Sequence, residues 1–132
     1  MSRGLILAAP ASASGKTVLT LALLRHLRRA GHRVASAKAG PDYIDPAFHA
    51  AASGRPCLNL DVWAMRPETL AAAVTTLAAE ADLVLCEGVM GLFDGIGAEG
   101  LGSTASLAEA TGWPVVLVLD VAGRRVRRRR GR

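Results

Sequence analysis

Residues 5–17 read LILAAPASASGKT: a short apolar run, a loop of small residues, then Gly-Lys-Thr where an amphipathic segment begins. The run Leu5–Ala9 ends at Pro10 and predicts a strand. The segment from Lys16 to Ala30 places Leu19, Leu23, Leu24 and Leu27 on one face, with Arg25, Arg28 and Arg29 off it and Gly31 as a stop, which predicts a helix. Strand, glycine-lysine-threonine loop and helix in that order form a phosphate loop. Backbone N–H groups of such a turn cradle phosphates, the lysine reaches the terminal phosphates, the hydroxyl meets Mg²⁺, and the helix start adds partial positive charge. Ser14, Gly15, Lys16 and Thr17 are therefore the expected ATP-phosphate contacts. The pattern GxxxxGK[ST] asks for glycine at position 10, where this chain has Pro10.

Outward from that loop, the chain alternates between the two periodicities. Val34–Ala39 predicts a second strand, Ala47–Ser53 a short helix closed by Gly54 and Pro56, and Pro67–Ala81 a helix with proline and Glu68 in its favourable first turn. Leu83–Cys86 and Val115–Asp120 are continuous apolar runs without alternation, the pattern of strands covered on both faces. The expected architecture is α/β: a parallel sheet with helices on both faces.

The 132 residues are 51% hydrophobic and 20% charged, enough for one core and hardly two. No apolar run approaches the roughly 18 to 20 residues of a membrane span, and the start lacks a signal-peptide plan, so a cytoplasmic location with no membrane partner is expected. The net charge of +5 suggests nucleic acid until its location is seen. Residues 124–132, RRVRRRRGR, hold seven of the 16 basic side chains and no acidic one, which leaves residues 1–123 at −2. An arginine-rich tail over 122–132 is expected to be disordered and to attract any polyanion by counterion release. It has no aromatic or polar base readers, so no specific nucleic-acid partner is expected. Cys57 and Cys86 have neither metal-site spacing nor disulfide-scaffold density and are read as small apolar residues without catalytic work.

Three further segments carry chemistry. Glu87 directly follows the apolar run LVLC, which places a carboxylate at the carboxyl end of a parallel strand, where a Mg²⁺ ligand or substrate-orienting group belongs. Asp120 has the same placement after VVLVLD, with equal weight given to a plain strand-end acid. The loop Lys38–Pro46 puts one lysine and two carboxylates, Asp42 and Asp45, within eight residues. Its lysine can neutralise phosphate, and its acids can share Mg²⁺, hold a substrate, or cap their own turn. The third segment, Gly88–Gly97 with Asp94, is rich in glycine and apolar residues and suits a flap over a partly apolar ligand. His49, near the acidic loop, is a lesser candidate, and Phe48, Trp63 and Trp113 are read as packing residues.

Taken in chain order, APASASGKT, KAGPDYIDPAFH, CLNLDVW and LVLCEGVMGLFDG make this sequence resemble the amino-terminal part of the cobyrinic acid a,c-diamide synthase family, its hydrogenobyrinic acid counterpart included. That family is a branch of the dethiobiotin-synthetase-like P-loop proteins, and the resemblance covers residues 4 to 121. It implies an incomplete, truncated synthetase domain over 1–121 from an ATP- and glutamine-using amidoligase of cobalamin biosynthesis. In that family, two corrinoid carboxylates are phosphorylated by ATP and then displaced by ammonia. Carried onto matching positions, the resemblance implies catalytic roles for Lys16, Lys38, Asp45 and Asp94. It implies nucleotide contacts at Ser14, Gly15, Lys16, Thr17 and Asp42, and Mg²⁺ contacts at Thr17, Asp42 and Glu87. Implied partners are a corrinoid carboxylate, ATP, and glutamine or ammonia, with a homodimer open. The family's class I glutaminase half is not expected within these residues, and Ala13 replaces a family serine. Two other readings stay open: a partition-type P-loop switch, whose extra lysine would fall at Ala11, and a polyanion-binding fragment.

Overall fold

The computed structural model describes residues 3–122. Its strands are β1 (Gly4–Ala8), β2 (Val34–Ala39), β3 (Cys57–Leu60), β4 (Leu83–Glu87) and β5 (Val115–Leu117). Its helices are α1 (Lys16–Arg29), α2 (Asp45–Ser53), α3 (Pro67–Ala79) and α4 (Thr104–Thr111). The strands form one parallel sheet in the order β3-β2-β4-β1-β5. The α/β parallel architecture is thus as expected.

Period-2 alternation splits each central strand between two cores. Ile6, Ala37, Val84 and Cys86 pack on one face with Leu70 and Leu77 of α3 and Leu107 of α4. Leu7, Val34 and Leu85 pack on the other face with Leu24 of α1, flanked by Leu23, Leu27 and Ala52. The chain leaves β1 toward β2 through α1 on one face, and leaves its neighbour β4 toward β5 through α4 on the other. That divergence between adjacent strands is a topological switch point, and it opens a crevice at their carboxyl ends.

Several sequence expectations need correction. α2 begins at Asp45, two residues before Ala47, because Pro46 sits comfortably in its first turn. β3 and α4 have no periodic signal strong enough to announce them: β3 is four residues long, and α4 follows a glycine-rich loop. The serine at the start of α4 is a readable sign, since the Ser103 side chain accepts from the Ser106 N–H as an N-cap. In α1 the fully buried positions belong to Thr20 and Leu24, and Leu19 lies toward solvent at 39% exposure. The run Val115–Asp120 has the sequence pattern of a strand covered on both faces. Only Val115–Leu117 is a strand, and it is the exposed outer strand of the sheet, with β1 as its pairing neighbour. Trp113 packs in the core as expected, whereas Trp63 and Phe48 are exposed at 61% and 57%. The arginine-rich tail from residue 123 onward lies outside the described residues. No helix among the described residues is long and apolar enough to cross a membrane.

These burials give a direct test. Leu24 is fully buried between α1 and the sheet, so Leu24→Ala is expected to destabilise the fold by about 3 kcal/mol through lost contacts and a cavity. Phe48→Ala, at an exposed position, should change stability by no more than about 0.5 kcal/mol. Urea denaturation followed by tryptophan fluorescence measures both.

Candidate functional site

The loop between β1 and α1 is shaped by its backbone. Gly15 sits at the start of α1 with φ +78°, a left-handed conformation that glycine adopts without a Cβ penalty. Ala13 also has positive φ, at 60°. Ser14 Oγ donates to the Ala11 carbonyl at 2.7 Å, so its hydroxyl braces the turn. The result is a concavity of about 220 Å³ lined by Ala11 and residues 13–18, at the amino terminus of a 14-residue helix. That is the geometry of an anion cradle.

Glu87 ends β4 with no solvent exposure, and three cationic groups and a hydroxyl converge on it. Thr17 Oγ1 donates to Oε1. Lys38 Nζ lies 3.2 Å and Lys16 Nζ 3.5 Å from the same oxygen, and His49 Nε2 lies 2.6 Å from Oε2. Each comes from a different element: Lys16 and Thr17 from the first turn of α1, Lys38 from β2, His49 from α2. Lys38 is the register partner of Glu87 in the β2–β4 pairing, which makes their meeting a consequence of strand register.

The acidic loop attaches to this cluster through Lys38. Asp45 Oδ2 accepts from Lys38 Nζ at 2.8 Å, and Asp42 Oδ2 lies 3.7 Å from it. Asp42 Oδ1 accepts the backbone N–H groups of Ile44 and Asp45, so this acid caps its turn and also faces the lysine. Asn59 of β3 donates to the carbonyls of Gly40 and Asp42 and fastens the loop.

The glycine-rich loop packs against the phosphate loop from above. Leu92 N–H donates to the Ala9 carbonyl at 2.8 Å, and a Cβ at Gly91 would stand 2.5 Å from the Pro10 carbonyl, an approach only glycine permits. Asp94 is exposed, and its Oδ2 accepts the Gly91 N–H at 2.8 Å. Asp94 thus stabilises its own loop and stands apart from the Glu87 cluster. It lines an apolar cleft of about 370 Å³ with Pro41, Trp63, Met90, Ile96 and Leu101. Exposed Trp63 has its place there rather than in the core. Asp120 lies beyond β5, where Oδ1 accepts the Ala122 N–H at 2.8 Å.

The charges are mutually adjusted. Burial alone would raise the Glu87 carboxyl, but hydrogen bonds from His49 and Thr17 and the charges of Lys38 and Lys16 hold it down at about 2, from an ordinary 4.5. Burial alone would lower the His49 imidazole, but its contacts with Cys57 and Glu87 hold it up at about 9, from 6.5. Burial pulls Lys16 below its usual range against the Glu87 charge, with Lys38 adding to the fall. Lys38 rises despite burial because Asp45 and Glu87 favour its charged form. Asp42 is lowered, its partial burial outweighed by the two backbone N–H groups and Lys38. Cys86 is fully buried with its thiol pushed up, in keeping with an apolar filler. Cys57 does more than its sequence context suggests, for its Sγ lies 3.6 Å from His49 Nδ1.

A sequence profile for the CobQ/CobB/MinD/ParA nucleotide binding domain matches residues 5–128. The chain belongs to this family. The chain is 57% identical over 119 residues to hydrogenobyrinate a,c-diamide synthase of Rhizobium meliloti (strain 1021), covering 90% of this chain and 28% of the relative. It is 62% identical over 125 residues to the enzyme of that name from Rhodobacter capsulatus, covering 92% and 28%. With that from Brucella anthropi, identity is 56% over 121 residues, covering 91% and 28%. The chain spans about 28% of the length of these relatives.

The two shifted groups define a pH window. The depressed Glu87 contributes stability that is complete above 4.5 and lost as pH falls toward about 2. The raised His49 contributes stability that is complete below 6.5 and lost as pH rises through about 9. The stability gap between the wild type and Glu87→Gln should therefore narrow as pH falls below 4.5. Urea midpoints measured across that range check it, and a constant gap would contradict the assignment.

Proposed function

We propose that this chain carries the ATP-using, carboxylate-activating centre of a cobyrinate or hydrogenobyrinate a,c-diamide synthase in cobalamin biosynthesis. A carboxylate oxygen of the corrinoid a or c side chain attacks the γ-phosphorus of ATP, and ADP leaves. Ammonia, drawn from glutamine or supplied free, then attacks the acyl carbon and phosphate departs, leaving an amide. Two such rounds give the a,c-diamide. The reading rests above all on the meeting of Thr17, Lys16 and Lys38 on buried Glu87, directly below the phosphate cradle.

Each group has a part that its position supports. Backbone N–H groups of Ser14–Thr17 hold the phosphates, and Lys16 counters charge on the transferring group. Lys38, tied to Asp45, fixes the acidic loop and adds positive charge beside the acceptor carboxylate. Asp42 holds the turn that presents this loop, and Asp94 holds the loop over the apolar cleft. The donor chemistry fits Mg²⁺, which takes oxygen ligands: the Thr17 hydroxyl and a Glu87 carboxylate oxygen lie in contact. Thr17 and Glu87, with Asp42 nearby, would hold a cation that keeps water and phosphate as its other ligands. When bound, it would neutralise phosphate charge. An acceptor that joins carboxylates to a broad apolar ring also needs an apolar rest, and the cleft of Trp63, Met90, Ile96 and Leu101 lies at the same end of the sheet.

The first test is calorimetric binding of Mg·ATP. Lys16→Ala is expected to weaken it by about 1.5 to 3 kcal/mol, the loss of a hydrogen bond to a charged group. Binding unaffected by this change would refute the phosphate site. With binding in hand, hydrogenobyrinic acid incubated with ATP, Mg²⁺ and ammonium should show the small mass loss of each carboxyl becoming an amide, together with ADP.

A further inference from the structure

His49 is fully buried in α2, with its ring between Glu87 of β4 and Cys57 of β3. Its Nε2 stands 2.6 Å from Glu87 Oε2. An ionised carboxylate only accepts, so Nε2 is the donor, and Nδ1 is left to face Cys57 Sγ at 3.6 Å. The two oxygens of Glu87 are thereby divided: Oε2 belongs to His49, while Oε1 is shared by Thr17, Lys38 and Lys16.

The division follows from the fold. Asp45 and His49 are four residues apart on α2 and share a face. Asp45 meets Lys38 and His49 meets Glu87, while Lys38 and Glu87 are themselves cross-strand partners. The helix and the strand pair thus close a ring of alternating charge, Asp45–Lys38–Glu87–His49. A glutamate's terminal torsion is broad and roughly two-fold, so a carboxylate held at one oxygen alone can turn. Held at both, it cannot.

We infer that His49 is a positioning residue, fixing Glu87 so that Oε1 faces Thr17 and the phosphate cradle, and thereby sets metal-dependent nucleotide affinity without touching nucleotide. This rests on the proposal that Thr17 and Glu87 serve a Mg²⁺-bound nucleotide. Groups that act through a metal ligand in this way characteristically change metal affinity about 10- to 100-fold when removed.

The test compares two variants of similar polarity and different reach. The amide nitrogen of His49→Gln extends to about where Nε2 lies, and that of His49→Asn stops near Nδ1. ATP affinity is measured calorimetrically with Mg²⁺ and with EDTA, and the ratio of the two is the readout. His49→Asn should lower that ratio about 10-fold or more, with His49→Gln restoring it to near the wild-type value. In a Glu87→Gln background, His49→Asn should lower it no further. Equal ratios for the Asn and Gln variants, equal losses with and without Mg²⁺, or additive losses in the double variant would each overturn the inference. A wild-type protein whose ATP affinity does not respond to Mg²⁺ would overturn the underlying proposal and this inference with it. Circular dichroism melting of each variant separates loss of fold from loss of positioning, and should His49→Asn melt below the assay temperature, all the ratios are measured at a lower temperature at which it stays folded.

Discussion

A fully buried carboxylate at the end of a central strand must be answered by positive charge and hydrogen-bond donors from its surroundings, and Glu87 imposes that condition on the whole upper edge of the sheet. Removing such a charge from water costs several kcal/mol even after relaxation, so an incomplete shell would be worse than none. The shell here draws on three elements. α1 must begin where Thr17 and Lys16 reach Oε1, β2 must pair so that Lys38 stands beside Glu87, and α2 must bring His49 underneath. A one-residue slip of β2 would turn Lys38 away from Glu87 and toward the opposite, apolar core of Ala37, Leu60 and Cys86. Strand register and site chemistry are the same constraint here, which links the order β3-β2-β4-β1-β5 to what the site can bind.

What could be read from the sequence was local. The strand-loop-helix run through Lys16 and Thr17 depends on neighbouring residues, as do the apolar strands ending at Cys86 and Ala39, and these stand nearly where spacing put them. Glu87 was visible as an acid at a strand end. The pairing of Lys38 with Glu87 was not, because it needs β2 and β4 to be neighbours, a fact that no short-range pattern contains. The same holds for His49: an isolated histidine on a short helix gives no hint of a carboxylate 38 residues away. Phe48 and Trp63 failed for a different reason. Apolar character predicts burial only on average: Phe48 stays 57% exposed on α2, and Trp63, at 61%, lines the apolar cleft. β5 escaped because a continuous apolar run does not reveal that its strand lies at the sheet's edge. Asp42 caps its own turn, one of the readings open to it, and it also faces Lys38, a pairing that the sequence did not show.

The three cations around Glu87 are not equivalent, and the difference bears on how the site would respond to an anion. His49 is sealed in the core at 2.6 Å, and Lys38 is locked between Glu87 at 3.2 Å and Asp45 at 2.8 Å. Lys16 has the longest contact, 3.5 Å, and its side chain keeps 10% exposure at the mouth of the cradle. Burial also leaves its charge under-compensated, which is why its pKa falls while that of Lys38 rises. A cation in that condition gains from any further negative charge within reach. A phosphate entering above Gly15 would therefore draw on Lys16 first. Lys38 and His49 would keep Glu87 neutralised as Lys16 turns away, and the buried carboxylate would never be left bare. Such an arrangement would divide a displaceable positive charge from two fixed ones around a single acid, and an anion drawing on Lys16 would leave intact the ring that holds β2, β4 and α2 together.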